Sequence, residues 1–219
     1  MRWTIKPKPD PSKVARLSKE LAIDSTTSFL LAQRGIETFE EAKNFFRPDL
    51  NDLHDPFLMK DMEKAVSRIE DAVKNQENIL VYGDYDVDGT TSVALMSSYI
   101  LSFYPNVATY IPDRYEEGYG ISYKGIDFAE DNNFSLIIAL DCGIKAIEKI
   151  TYATKKGIDF IICDHHRPGP EIPKAKAILD AKQEDCKYPF KELCGCGVGF
   201  KLIQALASKK GVTINDLVL

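Results

Sequence analysis

The sequence contains no long hydrophobic run, no closely paired cysteines of the CxxC type and no excess of basic residues. Its 219 residues are 44% hydrophobic and 28% charged, as in an ordinary globular protein. No stretch approaches the ~18 consecutive apolar residues that a bilayer-spanning helix needs. The first residues, MRWTIKPKPDPSK, carry basic side chains without an apolar core behind them, so we do not expect a secretory signal. These absences exclude membrane-spanning, collagen-like and wholly disordered chains.

The cysteines are few and odd in number. The five lie at Cys142, Cys163, Cys186, Cys194 and Cys196. A disulfide framework favours an even count in a smaller chain. We therefore expect reduced thiols in a cytoplasmic protein, with the cysteines serving as small buried apolar residues rather than as ligands.

The net charge of −5 is distributed unevenly. Residues 77–170 carry 7 basic and 14 acidic side chains, a difference of −7. Two interpretations are open: a solvated acidic face, or a pocket of carboxylates that binds cations. An acidic chain is not expected to bind nucleic acid by simple electrostatic attraction.

The first part of the sequence is typical of short helices. VARLSKELAI and TTSFLLAQRGI are amphipathic, and Gly35 is a suitable stop. Thr38 with Glu41 predicts a capping box that opens TFEEAKNFF. We predict a helical N-terminal region over 1–58 and a second domain over 59–219, which opens with a helix near 61–74.

From residue 78 onward, short apolar runs alternate with helical segments. The runs predict strands at 79–82, 107–111, 135–140, 159–163 and 176–180. Helices are predicted between them, including one from about 90 to 103 and a last one from GFKLIQALASKK. This alternation predicts an α/β fold with a doubly wound, mainly parallel sheet.

Three of the predicted strands run directly into acidic residues. Ligands of such sheets bind at the carboxyl ends of the strands, where these side chains would converge. Placing so many like charges together is unfavourable without a cation, so the sequence predicts a divalent metal site with a pair of ions. The residues concerned are Asp84, Asp86 and Asp88 after the first strand, Asp141 after the third, and Asp164 with His165 and His166 after the fourth.

The donor types narrow the choice of metal. Carboxylates suit Mg²⁺ and Mn²⁺, and imidazole favours Mn²⁺ over Mg²⁺, so we expect Mn²⁺ with Mg²⁺ as the alternative. An EF-hand starting at Asp84 is excluded, because its twelfth position is Leu95 and a strand precedes it. We expect the three aspartates of DYDVD to lie on one side of an extended segment, with Gly89 allowing the turn into a helix near Thr90.

Several other residues have a functional and a structural interpretation. Arg114 can clamp a phosphate or pair with a neighbouring glutamate, and Tyr119 can stack on a base or pack against its loop. Gly195, Gly197 and Gly199 match no phosphate-binding loop and are better explained by close packing of the last helix. His54 is expected to be structural.

The motifs GDYDVDGTTS, LDCGI and CDHHRPG together resemble those of the DHH phosphoesterase superfamily, named for Asp164-His165-His166. Segments outside the motifs, such as RGIETFEEAKNFFRPDL and YIPDRYEEGYGIS, are similar to its bacterial single-strand-specific exonucleases. The resemblance implies a metal-dependent phosphodiesterase that removes nucleotides from 5′ ends of single-stranded DNA during repair and recombination. It also implies single-strand-binding protein and a RecQ-type helicase as partners.

The resemblance further implies roles for individual residues. Asp84, Asp86, Asp141 and His165 would hold Mn²⁺ or Mg²⁺. Asp88 would be a further metal ligand or a carboxylate that supports the ligands, and we count it among the candidate catalytic residues. His166 would contact the scissile phosphate or the leaving group, Asp164 would orient a histidine, and Arg114 and Tyr119 would contact the DNA.

The sequence departs from the family pattern in two places. Tyr82 stands where some relatives carry a histidine ligand, and only Asp216 remains as a candidate for the aspartate of the fourth motif. We therefore expect the DHH domain to be truncated at its C-terminal end and this chain to be incomplete as an enzyme. Two alternatives stay open: another DHH hydrolase acting on short oligonucleotides, cyclic dinucleotides or pyrophosphate, and a catalytically silent DHH binding module.

Overall fold

The computed structural model describes residues 3–213. The helices and strands follow one another in the order that the sequence predicts. They are α1 (Pro11–Leu21), α2 (Ser25–Gln33), α3 (Phe39–Phe46), α4 (Met62–Lys74), β1 (Asn78–Gly83), α5 (Val87–Leu101), β2 (Val107–Tyr110), α6 (Tyr123–Asp131), β3 (Phe134–Leu140), α7 (Ile147–Lys155), β4 (Asp159–Cys163), β5 (Ala177–Leu179) and α8 (Gly195–Lys209). Within the described range, no helix has the length and apolar character needed to cross a membrane.

The chain separates into two compact units, one ending at Leu53 and the other beginning at His54. The first unit contains α1, α2 and α3. Its helices begin at side-chain caps, and the capping box of Thr38 and Glu41 is present as predicted. Leu17 is fully buried at the centre of a small apolar cluster.

The second unit is built on a parallel sheet with the strand order β2-β1-β3-β4-β5. Successive side chains of each strand point to opposite faces, and both faces are apolar. One face packs with α4, α5 and α8, and the other with α6 and α7. The predicted doubly wound α/β fold is confirmed.

The strand order explains where a site forms. The chain passes from β1 to β2 on one side, and then returns to β3 on the other side of β1. The carboxyl ends of β1 and β3 are therefore neighbours at the point where the order reverses, which is the usual ligand site of such sheets. Asp84 follows β1 and Asp141 follows β3, so the topology alone brings these two residues together.

The start of α5 differs from the prediction. The helix begins at Val87 rather than near Thr90, because the Asp86 side chain caps it and accepts a 2.9 Å hydrogen bond from the Gly89 amide. Asp88 therefore lies in the first helical turn and not in an extended segment. The expectation that the three aspartates lie on one side of an extended segment was therefore wrong.

The last helix also begins earlier than predicted, at Gly195, with Cys194 as its cap. This start explains why the expectation of buried cysteines holds only in part. Cys142, Cys163 and Cys186 are buried, but Cys194 is exposed and Cys196 is half-buried. All five thiols are free.

Gly89 provides a test of how α5 packs on the end of β1. A Cβ atom at this position would lie 2.4 Å from the Asp84 carbonyl oxygen and 2.7 Å from the Asp84 nitrogen. We expect Gly89→Ala to lower the free energy of unfolding by about 1–3 kcal/mol, because backbone atoms cannot move aside as a flexible side chain can. Denaturant unfolding followed by circular dichroism measures this change.

Gly197→Ala is the matched control for that substitution. Gly197 also lies in the first turn of a helix, but its nearest neighbour is the flexible Leu193 side chain, 3.3 Å from the added Cβ. We expect this variant to be at least as stable as the wild type, because alanine favours a helix by about 1 kcal/mol over glycine. Equal stability of the two variants would contradict the packing argument.

Candidate metal centre

Carboxylates and imidazoles converge at the carboxyl edge of the sheet as the sequence predicts. Two groups of side chains each bring their ligand atoms within 4.8 Å of one another. Asp141 belongs to both groups. The first group is Asp84, Asp86 and Asp141, and the second is Asp141, His165 and His166.

Two of these carboxylates are buried with an oxygen that lacks a hydrogen-bond partner. Asp84 is 1% exposed and Asp141 is 2% exposed, and the unpartnered atom is Oδ1 in each. The Asp141 Oδ1 atom lies 3.1 Å from His165 Nε2, but the two are not aligned as a hydrogen bond. Buried oxygens without partners are rare and unfavourable, and a cation would satisfy both.

The electrostatics of the centre agree with this interpretation. Burial raises the pKa of Asp141 to about 8, and the nearby carboxylates of Asp88 and Asp86 contribute to the shift. Burial also raises the pKa of Asp84 above its ordinary value. Carboxylates and imidazole together form a donor set that fits Mn²⁺ or Mg²⁺. The residues present therefore fit a divalent metal ion.

Asp88 is held by the start of α8. Its Oδ2 accepts a hydrogen bond from the Gly195 amide and its Oδ1 accepts one from the Cys196 amide, each at 2.7 Å. Its Oδ2 also lies 3.7 Å from His165 Nε2. Because both oxygens already have partners, these contacts favour the supporting role over the ligand role.

Gly195 is required at this contact. A Cβ atom there would lie 2.5 Å from Asp141 Oδ1, so only glycine allows α8 to approach the carboxylates. Close packing of α8 was the expected role of the glycines near its start. The contact with Asp88 was not expected, and the dense run of small residues CGCGVG was the signal for it.

Asp164 organises the loop that carries the two histidines. Its Oδ1 accepts hydrogen bonds from the His165 amide at 2.7 Å, from the His166 amide at 3.1 Å and from His166 Nδ1 at 2.7 Å. Its Oδ2 accepts a 2.9 Å hydrogen bond from the Ile144 amide. Burial would raise the pKa of Asp164, but the hydrogen bonds from His166 and Ile144 outweigh burial and lower it.

The hydrogen bond that His166 donates to Asp164 in turn raises the pKa of His166, although burial opposes this shift. The other ring nitrogen of His166, Nε2, lies 3.0 Å from the Tyr119 hydroxyl. Tyr119 therefore contacts a histidine, which neither of its two predicted roles included. It stands between Gly118 and Gly120, whose φ angles of +79° and +76° favour glycine.

Tyr82 holds the loop that carries Tyr119 through hydrogen bonds to the backbone of that loop. Its hydroxyl donates to the Gly120 carbonyl at 2.9 Å and accepts from the Ser122 amide at 3.1 Å. The side chain is buried, and it belongs to neither ligand group. Tyr82 is thus not placed as a ligand and instead fixes the loop of Tyr119.

Arg114 makes neither of the glutamate pairs considered from the sequence. Glu116 pairs with Lys124 at 2.8 Å, and Glu117 accepts a hydrogen bond from the Tyr110 hydroxyl. The Arg114 guanidinium instead lies over the ring of Tyr85, 5.3 Å from its centroid. Its donors are therefore not occupied by a neighbouring carboxylate.

The structure adds one acidic residue that sequence reasoning missed. Asp180 follows β5 and is fully buried, with Oδ2 unpartnered, and burial raises its pKa to about 6. The same pattern of a strand followed by an acid was visible in the sequence.

Asp216, the candidate for the fourth motif, lies outside the described residues. His54 belongs to neither ligand group, and its ring lies edge-on to Tyr188.

Fold and site together define a doubly wound α/β domain whose switch point carries a group of carboxylates and histidines that could hold metal ions. The family described as "DHH family, N-terminal domain" matches residues 78–219. The chain belongs to the DHH family.

The similar proteins are nucleases by name. The chain is 44% identical over 217 residues to the "Single-stranded-DNA-specific exonuclease RecJ" of Bacillus subtilis. The aligned region covers 99% of this chain and 28% of that protein. It is 36% identical over 179 residues to the Escherichia coli protein of the same name, covering 81% of this chain and 30% of the relative. The chain thus spans less than a third of these relatives.

Solved structures of RecJ share the fold. An exonuclease RecJ bound to manganese superposes with a TM-score of 0.64 at 30% identity, over 70% of this chain and 39% of that one. RecJ from Thermus thermophilus in complex with Mn²⁺ gives a TM-score of 0.74 at 24% identity, over 94% of this chain and 28% of that one. At 24% identity, the similarity to the Thermus thermophilus structure supports the fold alone.

The pKa of Asp141 generates a prediction for the metal-free chain. The pKa of the Asp141 carboxyl group is about 8 in the folded chain, and its ordinary value is 3.8. Between these two pH values the folded chain therefore binds more protons at this group than the unfolded chain does. Stability must therefore fall as the pH rises from about 4 to about 8. We expect Asp141→Asn to flatten this slope and to raise the stability of the metal-free chain at pH 8.

Thermal unfolding in EDTA over a pH series checks this expectation. Asp131→Asn serves as the control, because Asp131 is exposed at the end of α6 and belongs to neither ligand group. Its profile should follow that of the wild type. An unchanged slope in Asp141→Asn would show that the carboxyl group is not buried in its protonated form.

Proposed function

We propose that this chain is the metal-binding domain of a phosphodiesterase that removes nucleotides from the 5′ end of single-stranded DNA. The observation that carries the proposal is the sharing of Asp141 between two groups of potential ligands. Two divalent ions held side by side are the usual device for cleaving a phosphodiester bond. The similarity to RecJ over 99% of the chain supports single-stranded DNA as the substrate.

Mn²⁺ or Mg²⁺ would be held by Asp84, Asp86, Asp141 and His165. When bound, the ions polarise the phosphate and lower the pKa of a water molecule. The buried oxygens of Asp84 and Asp141 would gain the partners they lack. Asp88, anchored on the amides of α8, keeps His165 facing this group from 3.7 Å.

Although His166 belongs to the second group of potential ligands, we assign it to the substrate and not to the metal. Its Nδ1 is bonded to Asp164, which orients the ring and favours its protonated form. The protonated ring donates through Nε2 to an oxygen of the scissile phosphate or to the leaving oxygen. Tyr119, whose hydroxyl contacts Nε2 in this structure, would then have to give up this contact.

We place the activity in cytoplasmic DNA repair and recombination, with single-strand-binding protein and a RecQ-type helicase as partners. The DNA backbone would contact Arg114, whose guanidinium has no carboxylate partner among the described residues. The alternative of another DHH hydrolase, acting on short oligonucleotides, cyclic dinucleotides or pyrophosphate, differs in the substrate and uses the same metal centre. A silent binding module is disfavoured, because all the carboxylates and imidazoles of the centre are present and close together.

The direct test is degradation of DNA labelled at one end. The assay uses the 219-residue chain and, since that chain spans 28% of the B. subtilis relative, a chimera that appends the remaining segment of the relative. We expect Mn²⁺-dependent release of a 5′ label from single-stranded DNA, with slow release of a 3′ label and slow attack on duplex DNA. Asp86→Ala, Asp141→Ala and His165→Ala should each abolish the activity while the fold survives.

Other outcomes would identify an alternative function. Rapid hydrolysis of dinucleotides with no attack on longer strands would favour another DHH hydrolase. Absence of hydrolysis on all of these substrates in the presence of Mn²⁺, with the DNA bound, would favour the silent module. Nuclease activity at the wild-type rate in all three variants would refute the metal centre.

A second experiment distinguishes the role of His166 from that of His165. We expect His166→Ala to leave Mn²⁺ affinity within about tenfold of wild type and to lower the cleavage rate about 10²–10⁴-fold, the range for a lost general acid or base. Calorimetry with Mn²⁺ and single-turnover cleavage measure the two quantities. His54→Ala is the control, since it removes a histidine outside the centre. Loss of Mn²⁺ binding in His166→Ala as severe as in His165→Ala would reverse their assignment.

A further inference from the structure

A cavity of about 220 Å³ opens beside His166, between the loop of Tyr119 and the start of α7. His166 and Asp164 form part of its wall. Asp84, Asp86 and His165 do not line it. The cavity therefore adjoins the histidine proposed to contact the substrate, but it lies apart from most of the metal ligands.

Two lysines line this cavity within the most acidic part of the chain. Lys145 and Lys149 are among the 7 basic residues of the segment 77–170, which has 14 acidic ones. Neither makes a salt bridge with any residue between 3 and 213, whereas Lys124 and Lys156 of the same segment do. Lys145 is close enough for its charge to oppose protonation of His166. The cavity thus provides unpaired positive charge beside an acidic centre.

The remaining wall of the cavity is largely apolar. Ile121, Ile144 and Ala146 line it, together with the Tyr119 side chain. An apolar wall with cationic groups at its rim fits a ligand that has a flat or apolar part and a negatively charged part. A nucleotide unit of a single strand, with base, sugar and phosphate, has this chemistry.

We propose that this cavity binds the nucleotide next to the scissile phosphate, and that Lys145 and Lys149 contact the phosphate of that neighbouring nucleotide. This inference rests on the proposed function, and it adds a binding subsite to it. The two lysines are positioning residues: they hold the strand so that the scissile phosphate lies at His166 and take no part in the bond cleavage. They also supply local attraction that the chain as a whole, at a net charge of −5, does not provide.

Equilibrium binding of a hydrolysis-resistant strand tests the subsite. The probe is a fluorescent octathymidylate with phosphorothioate linkages, measured by fluorescence anisotropy with Mn²⁺ over a salt series. We expect Lys145→Ala and Lys149→Ala each to weaken binding by about three- to tenfold. Each should also reduce the slope of log K against log salt by about 0.7, the value for one lost phosphate contact on a single strand. Lys145→Arg should retain binding, because it keeps the charge.

Lys155→Ala is the matched control. Lys155 is an exposed lysine at the far end of the same helix, about 12 Å along its axis from Ile147. The substitution changes the net charge by the same amount, so a loss of binding confined to the first two lysines identifies a local contact. Losses of equal size in all three variants would overturn the inference, since they would show only an effect of net charge.

A second probe locates the contacted phosphate. Octathymidylates with one uncharged methylphosphonate linkage, moved along the strand, should lose affinity for the wild type at one particular linkage. The Lys145→Ala/Lys149→Ala double variant should be insensitive at that linkage, because the contact is already gone. Equal sensitivity of both proteins at every linkage would refute the inference. If that occurs while the chimera degrades single-stranded DNA, the subsite alone fails; if the chimera neither binds nor degrades DNA, the proposed function fails with it.

Discussion

The buried carboxylate of Asp141 is the constraint on which the rest of the centre depends. It lies at the end of β3, next to the end of β1, where the order of the strands reverses. At this point it is removed from water, close to Asp86 and Asp88, and left with an unpartnered oxygen. A fold gains nothing in stability from such an arrangement. The arrangement is explained when positive charge enters the site, and this requirement connects the sheet topology with the chemistry.

The surrounding elements limit the repulsion by means of backbone amides. Asp86 accepts from the first turn of α5, Asp88 accepts from the first turn of α8, and Asp164 accepts from the loop after β4. Amides at a helix start carry partial positive charge, so they stabilise carboxylates without neutralising them. Each acid of this kind is fixed in place by its hydrogen bonds. Asp84 and Asp141 each keep one buried oxygen, Oδ1, without a hydrogen-bond partner, and that oxygen is available for a cation.

The features that depend on nearby residues could be predicted from the sequence. The strands, most of the helices and the capping box of Thr38 follow from local patterns, and a strand followed by an acid was sufficient to locate Asp84, Asp141 and Asp164. The start of α5 was misplaced because the aspartates were treated as ligands only, although aspartate is also a preferred helix cap. One aspartate can be both a cap and a potential ligand, as Asp86 is, and local sequence does not show that the cap will set the start of the helix.

The contacts between distant parts of the chain could not be predicted in this way. Asp88 and Gly195 are 107 positions apart, and Tyr119 and His166 are 47 apart. No periodicity or spacing in one sequence relates such residues. The cavity lined by Lys145 was missed for the same reason, since two lysines near a helix start are ordinary until the fold places them beside a histidine.

The presence of Asp141 in both ligand groups has a consequence for how two ions would bind. A proton and the two ions compete for the same carboxylate, so the first ion to arrive must displace the proton. The second ion then meets a carboxylate that is already ionised and does not bear that cost again. Occupation of one group therefore promotes occupation of the other through the shared proton, against the mutual repulsion of the cations. By thermodynamic linkage this cooperativity is reciprocal, and it is strongest at a pH where Asp141 would otherwise be protonated.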